Sequence, residues 1–246
     1  MSQTNSSKPA TNLFYRILAW VVAMITLVAL VLTAVRILLT PAFLPFEYSM
    51  PGFPPDPYGF SKADRLYWSS IALDYLVNSE GIDFLGNLRF EDGSAVYNER
   101  ELSHMVDVKI ALQNALNVWT ASLVLLVVLG LWAWRAKWAD EFSRGLRLGG
   151  WLSVFFVAGV ILVVLLSFGV FFVGFHEVFF QPGTWMFYWS DTLIRLFPER
   201  FWRDIFIYIG LLTAGLGLLV VFLARPRRQS RHIGEPSTNE TTNKRI

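Results

Sequence analysis

The chain has 246 residues, of which 54% are hydrophobic and 16% aromatic, and only 16% are charged. Ordinary globular domains carry roughly 25% charged residues, so this balance argues against a solvated single domain. It also excludes a disordered chain, which needs low hydrophobicity and high charge.

The few charges fall in bunches. Four windows contain no Asp, Glu, Lys, Arg or His: Ile17–Val35, Ile110–Trp134, Leu148–Phe175 and Ile205–Ala224. A helix crosses the hydrocarbon with about 20 largely apolar residues, so each window is long enough, the first only just. Four buried helices of a soluble protein would need far more polar chain around them. The first window exceeds the apolar stretch of a signal peptide, roughly 7–15 residues. Arg36 and then Ile37-Leu38-Leu39 continue the helical pattern without a small-residue cleavage site. The expected class is an all-α membrane protein. It has four transmembrane helices, with a small mixed extracytoplasmic domain inserted between helices 1 and 2.

Lys and Arg near the span ends set the orientation. Arg135, Lys137, Arg144 and Arg147 separate the second and third windows, Arg225, Arg227, Arg228 and Arg231 follow the fourth, and Lys8 and Arg16 precede the first. All three groups belong on the cytoplasmic side. The expected division is a cytoplasmic segment 1–13, helix 14–40, an extracytoplasmic segment 41–109 and helix 110–134. A cytoplasmic loop 135–147, helix 148–175, an extracytoplasmic loop 176–204, helix 205–224 and a cytoplasmic tail 225–246 complete it. Anionic lipid accounts for the basic tail without a nucleic-acid partner. The chain has no cysteine, which excludes disulfides, a thiolate nucleophile and any cysteine-ligated metal.

The first outer segment opens with a proline-rich run, Pro41 to Pro57, which resists regular structure. Ser61 with Asp64 three residues on signals a helix start, and Gly81 is the expected C-cap. Leu88-Arg89-Phe90 and Ala95-Val96-Tyr97 flank Asp92-Gly93, the pattern of a β-hairpin turn. Asn98 with Glu101 starts another helix, read as continuous over 99–134. In the second outer segment Phe179, Phe180, Trp185, Phe187, Tyr188 and Trp189 resemble an interfacial aromatic belt. Asp191 to Phe197 reads as a short amphipathic helix ended by Pro198, and 232–246 as a polar, disordered tail.

Two of the three histidines, His104 and His176, fall on the outer face; His232 lies in the tail. Helical spacing puts Glu101, His104 and Asp107 on one stripe, where a carboxylate can fix a histidine tautomer. Gln113, Asn114 and Asn117 continue the helix as a polar track. Two imidazoles plus Glu177, Asp107 or Asp191 would suit zinc, yet no HExxH is present and the histidines lie 72 positions apart. No metal or other cofactor is expected. A channel is disfavoured because the spans hold almost no ionisable residue.

The phrases Glu101-Leu-Ser-His104-Met-Val-Asp107-Val-Lys109 and Phe175-His176-Glu177-Val-Phe-Phe carry a resemblance. So do Trp185, Asp191-Thr-Leu-Ile194 and Leu196-Phe-Pro198-Glu199. Together they resemble a bacterial four-span membrane family that includes the lipoprotein intramolecular transacylase. The resemblance covers roughly residues 14–224, and the His-Met-x-Asp-Val-Lys phrase is its most specific part. It implies that a diacylglyceryl lipoprotein donates its sn-2 acyl chain to its own N-terminal cysteine amine, giving the lyso form. It also implies that His104 and His176 carry that reaction, with the lipoprotein and membrane lipids as partners.

The chemistry is an aminolysis. An α-amine with pKa near 7.7–8.0 needs modest help from a base, and a histidine with pKa near 6.5 suits that role. His176 is assigned as base and His104, oriented by Glu101 or Asp107, as oxyanion or acid partner; the residues leave the order of these roles open. Tyr188 or Trp185 are alternative oxyanion donors. Asp191 is a supporting carboxylate, and Lys109 and Arg195 are expected to steer lipid headgroups. Ser103 adjoins His104, but neighbouring helical side chains point apart, so no acyl-enzyme is expected. A metal-assisted or simple lipid hydrolase, or a non-enzymatic membrane assembly subunit, are the alternatives.

Overall fold

The structure is a computed structural model that describes residues 11–225. The expected disordered tail and the basic residues Lys8, Arg227, Arg228 and Arg231 lie outside the described residues. Four long apolar helices dominate: α1 (Thr11–Leu38), α5 (Glu99–Arg135), α6 (Ala139–Leu166) and α9 (Glu199–Leu223). The insert between the first two contributes short helices α2 (Phe43–Glu47), α3 (Lys62–Val77) and α4 (Asp83–Gly86). Helices α7 (Phe168–Phe179) and α8 (Thr192–Leu196) connect α6 to α9.

Helix α1 lies between its neighbours because its buried face is built from small residues. Val22, Ala23, Thr26, Ala29 and Ala34 are all buried. Hydrocarbon offers no hydrophobic drive between helices, so close backbone approach and dispersion must supply it. A Cβ built on Gly149 of α6 would lie 2.7 Å from the Ala23 carbonyl oxygen, and one on Gly150 would lie 2.6 Å from the Gly217 carbonyl oxygen of α9. Helix α6 therefore touches α1 and α9 backbone-to-backbone at successive residues. Helix α5 joins the bundle less closely, through Trp119 Nε1, which donates to Thr33 Oγ1 at 3.0 Å.

At 37 residues, α5 is about 55 Å long at 1.5 Å per residue, far longer than a hydrocarbon core of about 30 Å. Its charge-free part, 110–134, is by itself long enough to cross such a core, and 99–109 carries Glu99, Arg100, Glu101, Asp107 and Lys109. There Tyr75, Leu85, Val96, Tyr97, Met105, Leu193 and Leu196 form one buried core. That cluster joins the insert, the raised end of α5 and α8 into a single body. A second cluster of Phe43, Leu44, Tyr48 and Phe201 ties α2 to α9.

Several local expectations are corrected. The proline-rich run contains α2, with Pro45 in its first turn, where no backbone N–H is required; Phe43 and Leu44 there are buried. Helix α3 ends at Asn78 rather than Gly81, because the Asn78 side chain accepts the Glu80 N–H and terminates the ladder. The hairpin reduces to one isolated bridge between Arg89 and Ala95, although Gly93 does adopt the left-handed φ of +83° that its turn requires. Val96 donates its N–H to the Leu88 carbonyl at 3.2 Å beside that bridge, while the Val96 and Tyr97 side chains bury in the helical core, so the hairpin is a small element of a mostly helical insert. The third window, read as continuous over 148–175, breaks at extended Ser167. No proline marks that break. It redirects α7 so that Phe171 and Phe175 pack on Phe206 of α9.

Candidate active site

Both helix starts expected from capping signals are present, and the one at Asn98 builds the site. Asn98 and Glu101 form a capping box, which sets the rotation of α5 and so the direction of His104. Glu101 does not orient His104, contrary to expectation. Its Oε2 accepts the Asn98 N–H at 2.9 Å and its Oε1 accepts the Leu193 N–H at 2.7 Å. The carboxylate thereby fastens α8 to the start of α5. Asp107 is half-buried and makes no hydrogen bond to His104 either. Asp191 accepts from Asn98 Nδ2, Arg100 Nη2 and the Tyr188 N–H, so it braces the 180–191 loop over the end of α5.

These fastenings bring two segments 72 positions apart into one pocket. The His104 and His176 ring centroids are 6.1 Å apart and nearly parallel, at 21°. Phe180 and Phe187 stand edge-on to His104, at 5.0 and 5.3 Å. Phe172 and Trp185 flank His176 at 4.0 and 4.8 Å. Both histidines are buried. The aromatic residues that resemble an interfacial belt thus divide: Phe180, Trp185 and Phe187 line the pocket, while Tyr188 and Trp189 face outward.

His176 Nδ1 lies 2.8 Å from the Phe172 carbonyl oxygen. A carbonyl only accepts, so Nδ1 carries the proton in neutral imidazole and Nε2 holds the free lone pair. His104 Nδ1 and Trp185 Nε1 are both shielded from solvent and have no hydrogen-bond partner in the protein. Buried polar atoms without partners are uncommon, and here two of them share one pocket.

Burial, and then the neighbouring His176, pushes the His104 pKa down to about 4. Burial also lowers His176, against the Phe172 carbonyl, which favours its protonated form. Between pH 6.5 and about 4 the unfolded chain therefore binds a proton at His104 that the folded chain refuses. Stability should fall as the pH drops through that window. Melting temperatures at pH 7.5 and pH 5 should differ more for the wild type than for His104→Phe, which removes the titrating group. Equal differences would show that His104 is not held neutral by its surroundings.

Two expected headgroup ligands prove to be internal struts. Lys109 is buried, its Nζ donating to Asn78 Oδ1 at 3.1 Å and to the Glu80 carbonyl at 2.6 Å, above the Tyr75 ring. Arg195 donates twice to Asp56 Oδ2, at 3.0 and 3.1 Å, and covers the Phe60 ring. Burial alone would raise the Asp56 pKa, but Arg195 and the Phe60 N–H hold it below the usual carboxylate range. Tyr188, expected as a donor, is exposed and stacks on Arg100. Asp56, Phe172 and Phe187 carry no site signal in the sequence, because their neighbours are apolar, aromatic or proline-rich. Among the described residues no three His, Asp or Glu side chains converge as a metal site.

Residues 17–202 match the family model described as lipoprotein intramolecular transacylase Lit. An uncharacterised protein of Aquifex aeolicus (strain VF5) is 30% identical over 191 residues, covering 76% of this chain and 83% of its own. The fold matches that of the membrane-integral lipoprotein intramolecular transacylase Lit from Bacillus cereus. Its in meso structure has a TM-score of 0.73 at 23% identity, covering 86% of this chain and 94% of that one. The structure of a histidine-to-alanine mutant of the same protein gives 0.69 at 22% identity, over 87% and 94%. By its sequence over most of its length, the chain belongs to the lipoprotein intramolecular transacylase family.

Proposed function

We propose that His176 is the general base and His104 its partner in the family's reaction. That reaction moves the sn-2 acyl chain of a diacylglyceryl lipoprotein onto the α-amine of its N-terminal cysteine. The single observation that carries this reading is the His176 Nδ1 bond to the Phe172 carbonyl, which leaves Nε2 as an acceptor beside His104. The amine nitrogen attacks the ester carbonyl while Nε2 takes the amine proton. The tetrahedral intermediate then expels the glycerol oxygen, to which the imidazolium returns the proton. His104, kept neutral by burial, hydrogen bonds to the departing oxygen. Ester and amine belong to one substrate molecule, so the enzyme adds orientation rather than encounter.

The protein is a multi-pass protein of the bacterial plasma membrane, expressible in a bacterium whose lipoproteins retain a free N-terminal amine. Mass spectrometry of lipoprotein N-termini should then show an N-acylated, S-monoacylglyceryl species. An unchanged free amine despite good expression would sink the reading.

The orientation we favour has both termini in the cytoplasm and the histidine pocket at the outer face. Arg135, Lys137, Arg144 and Arg147 at the opposite end of the bundle support it. The natural absence of cysteine makes a clean test available. In intact cells a membrane-impermeant thiol reagent should label Glu91→Cys but not Ala136→Cys; the reverse pattern would invert the topology.

A further inference from the structure

We infer that Trp185 is a catalytic residue: its indole Nε1–H supplies the hydrogen bond that stabilises the oxyanion of the tetrahedral intermediate. The inference rests on the histidine reading above and names a third group for the same reaction. The residue types alone allow three donors: His104, Tyr188 and Trp185. Tyr188 is removed by geometry, since its ring is exposed and lies 4.9 Å from the Arg100 guanidinium. His104 stacks at 6.1 Å from the base and has the leaving oxygen to serve. Trp185 is closer, with its ring centroid 4.8 Å from that of His176.

What singles out Trp185 is an unpaired nitrogen on a ring that lies against the base. An indole N–H only donates, and buried tryptophans ordinarily direct it to a protein acceptor. Trp185 Nε1 is shielded from solvent and has no such acceptor. In the same molecule Trp119 Nε1 does find one in Thr33 Oγ1 at 3.0 Å, whereas the buried Trp138 Nε1 is unpaired like Trp185 but packs against Tyr15, Trp132 and Phe142, away from either histidine. An unpaired donor next to the base is suited to an oxygen that gains charge only during reaction. The ground-state ester carbonyl is a weaker acceptor than the oxyanion, so the bond strengthens as the transition state forms. No covalent bond to Trp185 is made or broken. The amine proton still passes through His176 to the glycerol oxygen.

The test uses the full-length protein in lipid and a synthetic diacylglyceryl lipopeptide with a free N-terminal cysteine amine. Trp185→Phe retains a ring and removes the donor. Its kcat should fall by roughly 100- to 1,000-fold, the range seen when one oxyanion donor is deleted, with KM within about twofold and an unchanged melting temperature. If Trp185→Phe accumulates poorly, benzothienylalanine at position 185 keeps the indole shape and replaces N–H by sulfur, and the same loss is expected. A kcat within about threefold of wild type in a folded variant would overturn the inference. His176→Ala, assayed in parallel, separates the two readings. An inactive His176→Ala beside an active Trp185→Phe rejects only the tryptophan, whereas activity in both rejects the histidine base as well.

Discussion

Replacing His176 with alanine should lower the acyl-transfer rate by about three orders of magnitude, within the span that a positioned base contributes. The expected cause is specific. The Phe172 carbonyl commits Nδ1 as a donor, so Nε2 is the one imidazole nitrogen able to receive the amine proton. His176→Gln should fail almost as completely, because an amide is not basic. His104→Ala should cost about 100-fold, since it removes a hydrogen bond to the leaving oxygen rather than the proton acceptor. Rates of N-terminal acylation followed by mass spectrometry decide the matter, and circular dichroism confirms that the helices persist. Wild-type rates in both alanine variants would remove the histidine pair from the chemistry altogether.

Gly149→Leu should abolish a monodisperse folded protein. A Cβ at this position would meet Thr26 Cβ at 2.5 Å and the Ala23 carbonyl oxygen at 2.7 Å. The carbonyl is backbone of α1, so the clash is relieved only by moving a helix. Overpacking of this sort costs typically about 1–3 kcal/mol, and the larger side chain extends the displacement along the α1–α6 contact. Gly159→Ala supplies the contrast, because nothing lies within 4 Å of a Cβ there. Thermal denaturation followed by size-exclusion chromatography in detergent should show early aggregation for Gly149→Leu and wild-type behaviour for Gly159→Ala. A wild-type melting temperature for Gly149→Leu would mean that the α1–α6 approach is looser than the structure has it.

Features encoded within a few adjacent residues are legible in the chain itself. The Ser61–Asp64 and Asn98–Glu101 capping boxes depend on neighbours three positions apart, and both form. The four apolar helices follow from transfer free energy alone, whatever they pack against. The turn at Gly93 is legible for the same reason. The strands beside it are not, because Val96 and Tyr97 gain more by burial among α3, α5 and α8. Side-chain roles escape a local reading wherever a distant partner claims the group. Helical spacing pairs Glu101 with His104, yet its carboxylate binds the Leu193 N–H. Arg195 reads as a lipid ligand, yet it binds Asp56, 139 positions away.

Hydrophobic periodicity, capping and charge placement are local properties of the chain, and they already specify a four-helix membrane protein with two histidines in segments flanking its spans. That those histidines meet at 6.1 Å, which His176 nitrogen is free and which aromatic rings enclose them emerge only when the segments pack together. A hydrogen bond or a buried ring contact belongs to two segments at once. Its partner is chosen by the packing of the whole insert against α5, α7 and α8.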